Sequence, residues 1–295
     1  MDKSLQDICE RLRGVREDIR GLILFGSAAR GEQAPQDVDL LVVLAGPTME
    51  PRERDRALIA LRRALGTDGV WVDLVVVTEE GFRRGLENHH PFYLDIAVDG
   101  VVLYDADGIA ALLERTRQEI ASRQIRRTDT GGWEFPVPYR GRVPLSPLDN
   151  VTWARRWLED GERDLRAAEG LFRLGLYDRS VTHSQQAVEK SVKAVLVCMG
   201  QMERSHYVSS RLRALLAEIH ESHWREQLEH LVESAASLEP AAVSSRYPVE
   251  EGGEILWPSE RYGYEDAEWA LSLARESLTI GRGFVEWWVE EDDNP

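Results

Sequence analysis

The chain has 295 residues, 43% of them apolar and 30% charged, which is enough apolar mass for about two cored domains and too much for a disordered chain. Its longest apolar runs, such as residues 40–46, fall far short of the ~18 residues of a membrane-spanning helix, and Met1-Asp2-Lys3-Ser4 opens a charged amphipathic stretch rather than an apolar leader. Lys and Arg number 36 against 52 Asp and Glu, a net charge of −16, which excludes broad, sequence-blind nucleic-acid binding because that depends on basic patches neutralising phosphate.

The first 118 residues alternate strand-like and helix-like segments. Strand runs are expected at Leu22–Phe25, Val38–Leu44, Val70–Thr78 and Val101–Tyr104, with helices at Arg52–Leu65 and Asn88–Val98. His89-His90-Pro91 reads as the start of a helix. Residues 119–149 change character. Pro136, Pro138, Pro144 and Pro147 break helices, and Gly131-Gly132 with several Arg fit an exposed connector, whose Trp133 and Phe135 pack against something.

Residues 150–295 read as almost purely helical. Helices are expected at Trp153–Leu174, from an N-cap at Asp178 to about Met199, at Val208–His220, His223–Ser237 and Tyr264–Trp288, followed by a frayed acidic tail at 290–295. Seven of the nine Trp lie in this part. The charge divides as −6 over 1–118, +1 over 119–149 and −11 over 150–295. The expected organisation is therefore α+β: a mixed-sheet domain with flanking helices at 1–118, a connector at 119–149 and an all-α bundle at 150–295. Cys9 and Cys198 stand too far apart in sequence to suggest a disulfide framework or a metal motif, so a reducing cytoplasm is the expected compartment.

Three pieces of the first domain carry chemistry. Gly26-Ser27 ends a strand and opens a short helix, so free backbone N–H groups and a small hydroxyl meet at one spot suited to phosphate. Asp37 and Asp39 stand two apart at the head of a strand, on one face. Their mutual repulsion is relieved by a divalent cation, and hard oxygen ligands suit Mg²⁺. Asp73 interrupts an otherwise apolar strand, where a buried carboxylate needs a partner. If its strand lies beside that of Asp39, the three carboxylates form a set able to hold two Mg²⁺ ions.

The run Gly26-Ser27-Ala28-Ala29-Arg30-Gly31, then Asp37-Val38-Asp39, then Asp73, resembles the minimal nucleotidyltransferase domains of the DNA polymerase β superfamily over residues ~15–118. That resemblance implies Mg²⁺-dependent transfer of a nucleoside monophosphate, usually AMP from ATP, to an acceptor hydroxyl on a small molecule, a protein or an RNA end. It implies that Gly26 and Ser27 hold phosphates, that Asp37, Asp39 and Asp73 are the catalytic metal ligands, and that Asp73 also assists deprotonation of the acceptor. Arg30 is a candidate phosphate contact or a surface ion pair.

In the helical part only three basic residues of the whole chain are Lys rather than Arg, and two of them, Lys190 and Lys193, share one helix. Arg179, His183, Gln186, Lys190 and Lys193 fall within an arc of ~80°, opposite Val181, Val188, Val192 and Val195. This stripe is either a nucleotide-facing surface, with Lys190 and Lys193 as phosphate ligands, or a solvated face with a Glu189–Lys193 pair.

From Trp153 onward, Ala167-Ala168-Glu169, Gly175-Leu176-Tyr177-Asp178, His183 to Lys190, Lys193-Ala194, Ser205-His206 and Arg246-Tyr247-Pro248 resemble the HEPN superfamily of helical nucleotide-binding domains. Many of its members are metal-independent RNases that pair Arg with a His four to six residues on. Here no His follows Arg246, and Arg225 and His230 project ~140° apart on one helix, so an RNase is disfavoured and a binding or dimerising bundle favoured. The order of domains also resembles kanamycin-type aminoglycoside nucleotidyltransferases, which implies a homodimer. The alternative to an enzyme is a toxin–antitoxin-like or nucleotide-sensing module whose bundle recognises a partner.

Overall fold

The computed structural model describes residues 3–31, 37–66, 71–145 and 147–290. The chain divides into two compact units, 1–124 and 125–295. Val70 and residues 291–295, named above in a strand and in the acidic tail, lie outside the described residues.

The first unit runs α1 (Lys3–Val15), β1 (Ile19–Phe25), α2 (Gly26–Ala29), β2 (Asp37–Leu44), α3 (Pro51–Leu65), β3 (Trp71–Thr78), α4 (Glu79–Glu87), α5 (Pro91–Asp99), β4 (Val101–Asp105) and α6 (Ile109–Ser122). Its four strands form one mixed sheet in the order β3-β2-β1-β4. β1 pairs antiparallel with both β2 and β4, whereas β2 and β3 are parallel. Two parallel neighbours need a crossover, and α3 supplies it. α3 is started by Pro51 in its first turn, and Gly66 stands at its C-cap with φ +72°.

Alternation along the strands divides the core into two layers. Leu22, Leu24, Val38, Leu40, Val42, Leu74 and Val76 pack with Cys9 and Leu12 of α1 and Ala57 and Leu61 of α3. Ile23, Leu41 and Val43 are also fully buried, on the opposite face. His90 caps α5 by accepting a hydrogen bond from the Phe92 backbone on Nδ1, so the expected helix start is correct, although α4 precedes it as a separate helix. Burial, reinforced by the Arg123 guanidinium, pulls the His89 imidazole below its ordinary pKa.

The second unit contains α7 (Asn150–Arg173), α8 (Tyr177–Cys198), α9 (Ser209–Leu215), α10 (Ser222–Leu238), α11 (Ala241–Ser244), α12 (Pro258–Arg261) and α13 (Tyr264–Val289). It is helical as expected, with two small antiparallel sheets added. One joins β5 (Arg126–Arg127), β6 (Trp133–Glu134) and β7 (Gln201–Met202), and the other is a hairpin of β8 (Val249–Glu251) and β9 (Glu254–Leu256).

The stretch expected as a connector, 119–149, is divided between the units. Residues 119–122 finish α6, and 125–149 fold onto the second unit. Trp133 and Phe135 are each only 2% exposed, in line with the packing expected of them. Asn150, fully buried at the start of α7, accepts from the Val143 backbone (2.9 Å) and donates to the carbonyls of Gly141 (3.0 Å) and Cys198 (2.8 Å). That clamp fixes the proline-rich strap to the end of α8. α8 itself begins at Tyr177 with Leu176 as N-cap, two residues before the expected N-cap Asp178, whose carboxylate instead sits 3.3 Å from Arg179.

Candidate active site

The sheet register assembles the three aspartates. Phe25, the last residue of β1, is opposite Asp39, and Asp39 is opposite Asp73 of β3, so one rung crosses three strands. Registered neighbours share a face, about 4.8 Å apart. Asp37, two residues before Asp39, lies on that same face, opposite the one that packs on α1 and α3. The antiparallel turn of β1 and the parallel run of β3 bring the strand end at Gly26 and the strand starts at Asp37 and Trp71 to one edge of the sheet.

Gly26 explains why the sequence folds this way locally. Its φ of +72° is a left-handed conformation that glycine tolerates best. A Cβ there would lie 2.1 Å from Oδ2 of Asp39, so the backbone that opens α2 rests directly against the carboxylate. Ser27, half-buried, follows as the second residue of that turn.

The electrostatics are those of crowded like charge. Burial and then the charges of Asp37 and Asp73 push the Asp39 carboxyl above its ordinary pKa, with the Arg30 guanidinium opposing. Arg30 is 44% exposed and stands 3.8 Å from Asp99 at the end of α5, so it joins the site electrostatically while forming an ion pair.

Asp73 departs from expectation. It is not buried: its side chain is 54% exposed, because β3 is the edge strand of the sheet, and Arg62 of α3 reaches it at 3.4 Å. Among the described residues no three His, Cys, Asp or Glu side chains already stand as a ready ligand set. The donors nonetheless suit a hard divalent cation: three carboxylates on one face, one of them destabilised by the charge of the other two, which a cation neutralises. Arg62 was not visible as a participant in the sequence. Its only signal is its place near the C-terminal end of the helix that leads into β3.

The helical unit treats its sequence-selected residues differently. α8 is not a surface helix with one free stripe. Its polar residues Ser180, Ser184, Gln185, Glu189 and Ser191 are buried along with its valines, because helices α7 and α13 lie along its length and α10 and α11 also pack on it. The stripe is real in angle but is met by carboxylates. Lys190 Nζ lies 2.5 Å from both Asp160 and Asp164 of α7. Lys193 pairs with Glu189 at 2.8 Å, the expected i,i+4 bridge, and its ammonium stands 5.4 Å from the ring centre of Trp157. Both Lys expected to contact nucleotide are thus neutralised within their own unit.

Asp164 also takes His183 Nδ1 at 3.0 Å. Gln186, with its amide nitrogen turned to Asp164 Oδ1 (3.2 Å), accepts from Arg246 Nη2 at 3.1 Å. Burial opposes ionisation of Asp164, but the bonds from His183 and Lys190 outweigh it and hold the carboxyl below its ordinary range. The i,i+4 spacing of Asp160 and Asp164 was the signal for this network. Arg225 donates to the carbonyls of Ile219 and His220, at 3.3 Å each, which is a structural role.

Comparison with known proteins agrees with both halves. A family model described as Nucleotidyltransferase domain matches residues 1–104, and one described as HEPN domain matches residues 154–284. The chain therefore carries a nucleotidyltransferase domain followed by a HEPN domain. It is 39% identical over 138 residues to a candidate toxin, MJ1304, of Methanocaldococcus jannaschii, a match that spans 46% of this chain and 91% of that protein. It is 31% identical to the crystal structure of TT1696 from Thermus thermophilus, covering 44% of this chain and 97% of that one, with a TM-score of 0.37. A nucleotidyltransferase-like protein from Exiguobacterium sibiricum matches across 99% of this chain and 80% of its own, at 13% identity and a TM-score of 0.42. Among the described residues no helix is long and apolar enough to cross a membrane.

Proposed function

We infer that this protein is a Mg²⁺-dependent nucleotidyltransferase that moves AMP from ATP to an acceptor hydroxyl on a small molecule, a protein or an RNA end. The observation that carries the reading is the rung on which Asp39 and Asp73 are registered neighbours, with Asp37 on the same face and Gly26 pressed against Asp39. In this reading the backbone and hydroxyl of Gly26-Ser27 hold the β- and γ-phosphates, and Arg30 adds a positive charge beside them. Asp37, Asp39 and Asp73 would hold the cations, two of them, whose chemistry is to neutralise the triphosphate and lower the pKa of the acceptor hydroxyl. The acceptor oxygen attacks the α-phosphorus and the bond to the β-phosphate oxygen breaks. Pyrophosphate leaves, and the hydroxyl proton passes to the Asp73 carboxylate. The work takes place in the cytoplasm, and the resemblance in domain order supports a homodimer through the helical unit.

The test is ATP labelled at either the α- or the γ-phosphate, incubated with Mg²⁺ and acceptors of each class. Label should transfer from the α position alone, and Asp37→Asn with Asp39→Asn should abolish it. Transfer of γ-label would refute the reading.

One observation favours a second reading. The 39% identity to a candidate toxin supports a toxin–antitoxin-like or nucleotide-sensing module, in which the helical unit recognises a partner and the first unit binds nucleotide. Saturable ATP binding without transfer to any acceptor, together with growth arrest on expression of the full chain, would favour it over the enzyme.

A further inference from the structure

The hairpin of β8 and β9 turns at Gly252-Gly253, both with positive φ (+64° and +87°), as a tight two-residue turn requires. Its register pairs Val249 with Leu256 and Glu250 with Ile255. Val249 and Leu256, on the other face, are half-buried. Outward, Ile255 is 68% exposed and Trp257, two residues on and so on the same face, is 59% exposed. Tyr247, just before β8, is 63% exposed. Neither strand pairs with any strand but its partner among the described residues. A bare two-stranded ribbon with a large apolar outer face is unusual on a soluble surface, where unpaired edges and apolar patches are normally blunted.

The rim decides what fits. Residues 247–261 hold four carboxylates, Glu250, Glu251, Glu254 and Glu260, against one guanidinium, Arg261, and that one is closed onto Glu251 at 2.5 Å. The residues from 150 onward carry −11 overall. Nucleic acid, an anionic lipid surface and the same hairpin of a second copy would each bring negative charge to negative charge. The complement is a cationic polypeptide. An extended segment added along the edge of β9 suits the ribbon: its apolar side chains meet Ile255 and Trp257 on the outer face, and its alternating Lys or Arg meet Glu254 on the other, with Glu250 opposite Ile255 and the indole as further cation sites.

We propose that the outer face and the β9 edge of the 249–256 hairpin, with Trp257, form a docking surface for a basic, extended segment of a partner protein. The test uses the full-length protein and a fluorescein-labelled dodecapeptide alternating Lys with Val, beside a counterpart with Glu in place of each Lys, measured by fluorescence anisotropy. The Lys peptide should bind saturably at one site and weaken as salt rises. Ile255→Ser combined with Trp257→Ala should weaken it at least about tenfold, and Glu250→Lys with Glu254→Lys should do so while flattening the salt dependence. Leu174→Ser, at a residue 74% exposed elsewhere in the same unit, should leave binding unchanged. Amide exchange over 249–256 should slow when the peptide binds. The proposal is overturned by absence of saturable binding, by equal binding of the Glu peptide, by equal loss in Leu174→Ser, or by hairpin variants that bind like the parent while their melting curves match it.

Discussion

Replacing Gly26 by Ala separates the chemistry of the candidate site from its folding. Two effects act at that position. The left-handed backbone at φ +72° penalises any Cβ by about 1–2 kcal/mol. The new methyl would also fall 2.1 Å from Asp39 Oδ2, against an ordinary contact of about 3.4 Å, so the carboxylate must retreat by about 1.3 Å. A displacement of that size at a reacting centre lowers rate by about a hundredfold. Gly31→Ala supplies the control: its φ is +73°, but a Cβ there meets nothing within 4 Å. Both variants should lose a few degrees in melting temperature to the backbone, and Gly26→Ala somewhat more because Asp39 must also shift. In the α-labelled ATP assay Gly31→Ala should retain transfer within a few-fold, while Gly26→Ala falls about a hundredfold. Equal activity in the two variants would refute the placement of Asp39 as the group that Gly26 supports, and an equally severe loss in Gly31→Ala would reduce the effect to backbone strain.

Further outcomes concern the helical unit. Asp164→Asn removes a carboxylate whose pKa is held low in the folded state, so its contribution is present above the ordinary carboxylate pKa near 4 and lost as pH falls through the lowered value. The variant should therefore melt earlier than the parent at pH 7, by about 1–3 kcal/mol, and the gap should close in acid; a gap independent of pH would contradict the ion-pair account. Asn150→Ala leaves the Gly141 and Cys198 carbonyls and the Val143 amide without their side-chain partner, which costs about 3 kcal/mol. Proteolysis should then cut first within 136–148, and unchanged protection there would show that the strap is held by other contacts.

What was legible in the sequence was whatever a single element decides. The period of two set Asp37 and Asp39 on one face, and the glycine before Ser27 marked the end of a strand. The 100° helical angle correctly gathered His183, Gln186, Lys190 and Lys193 on one side of α8, but an angle does not say what packs there. Asp160 and Asp164 of α7 meet Lys190, and Glu189 of α8 itself meets Lys193, as the alternative of an i,i+4 pair expects. The strap at 125–149 shows a similar limit: strands of two residues, Trp133-Glu134 against Gln201-Met202, have no periodicity of their own and exist only through pairing far along the chain.

Asp73 shows where the two kinds of information meet. Its adjacency to Asp39 is non-local, and the sequence offers it only on the condition that the two strands are neighbours; the register meets that condition, with α3 as the crossover between two parallel strands. Its exposure could not be reached, since which strand forms the edge depends on how the whole sheet is ordered. That order has a chemical consequence. An interior Asp73 would need a permanent partner and would be held for structure. On the edge, half in solvent and met by the long side chain of Arg62, it could exchange that partner for a cation and an acceptor hydroxyl in the proposed reaction. In the proposed reaction the edge position is therefore what would allow the third carboxylate to act, and the two buried neighbours of Asp39, Val38 and Leu40, would hold the second one still.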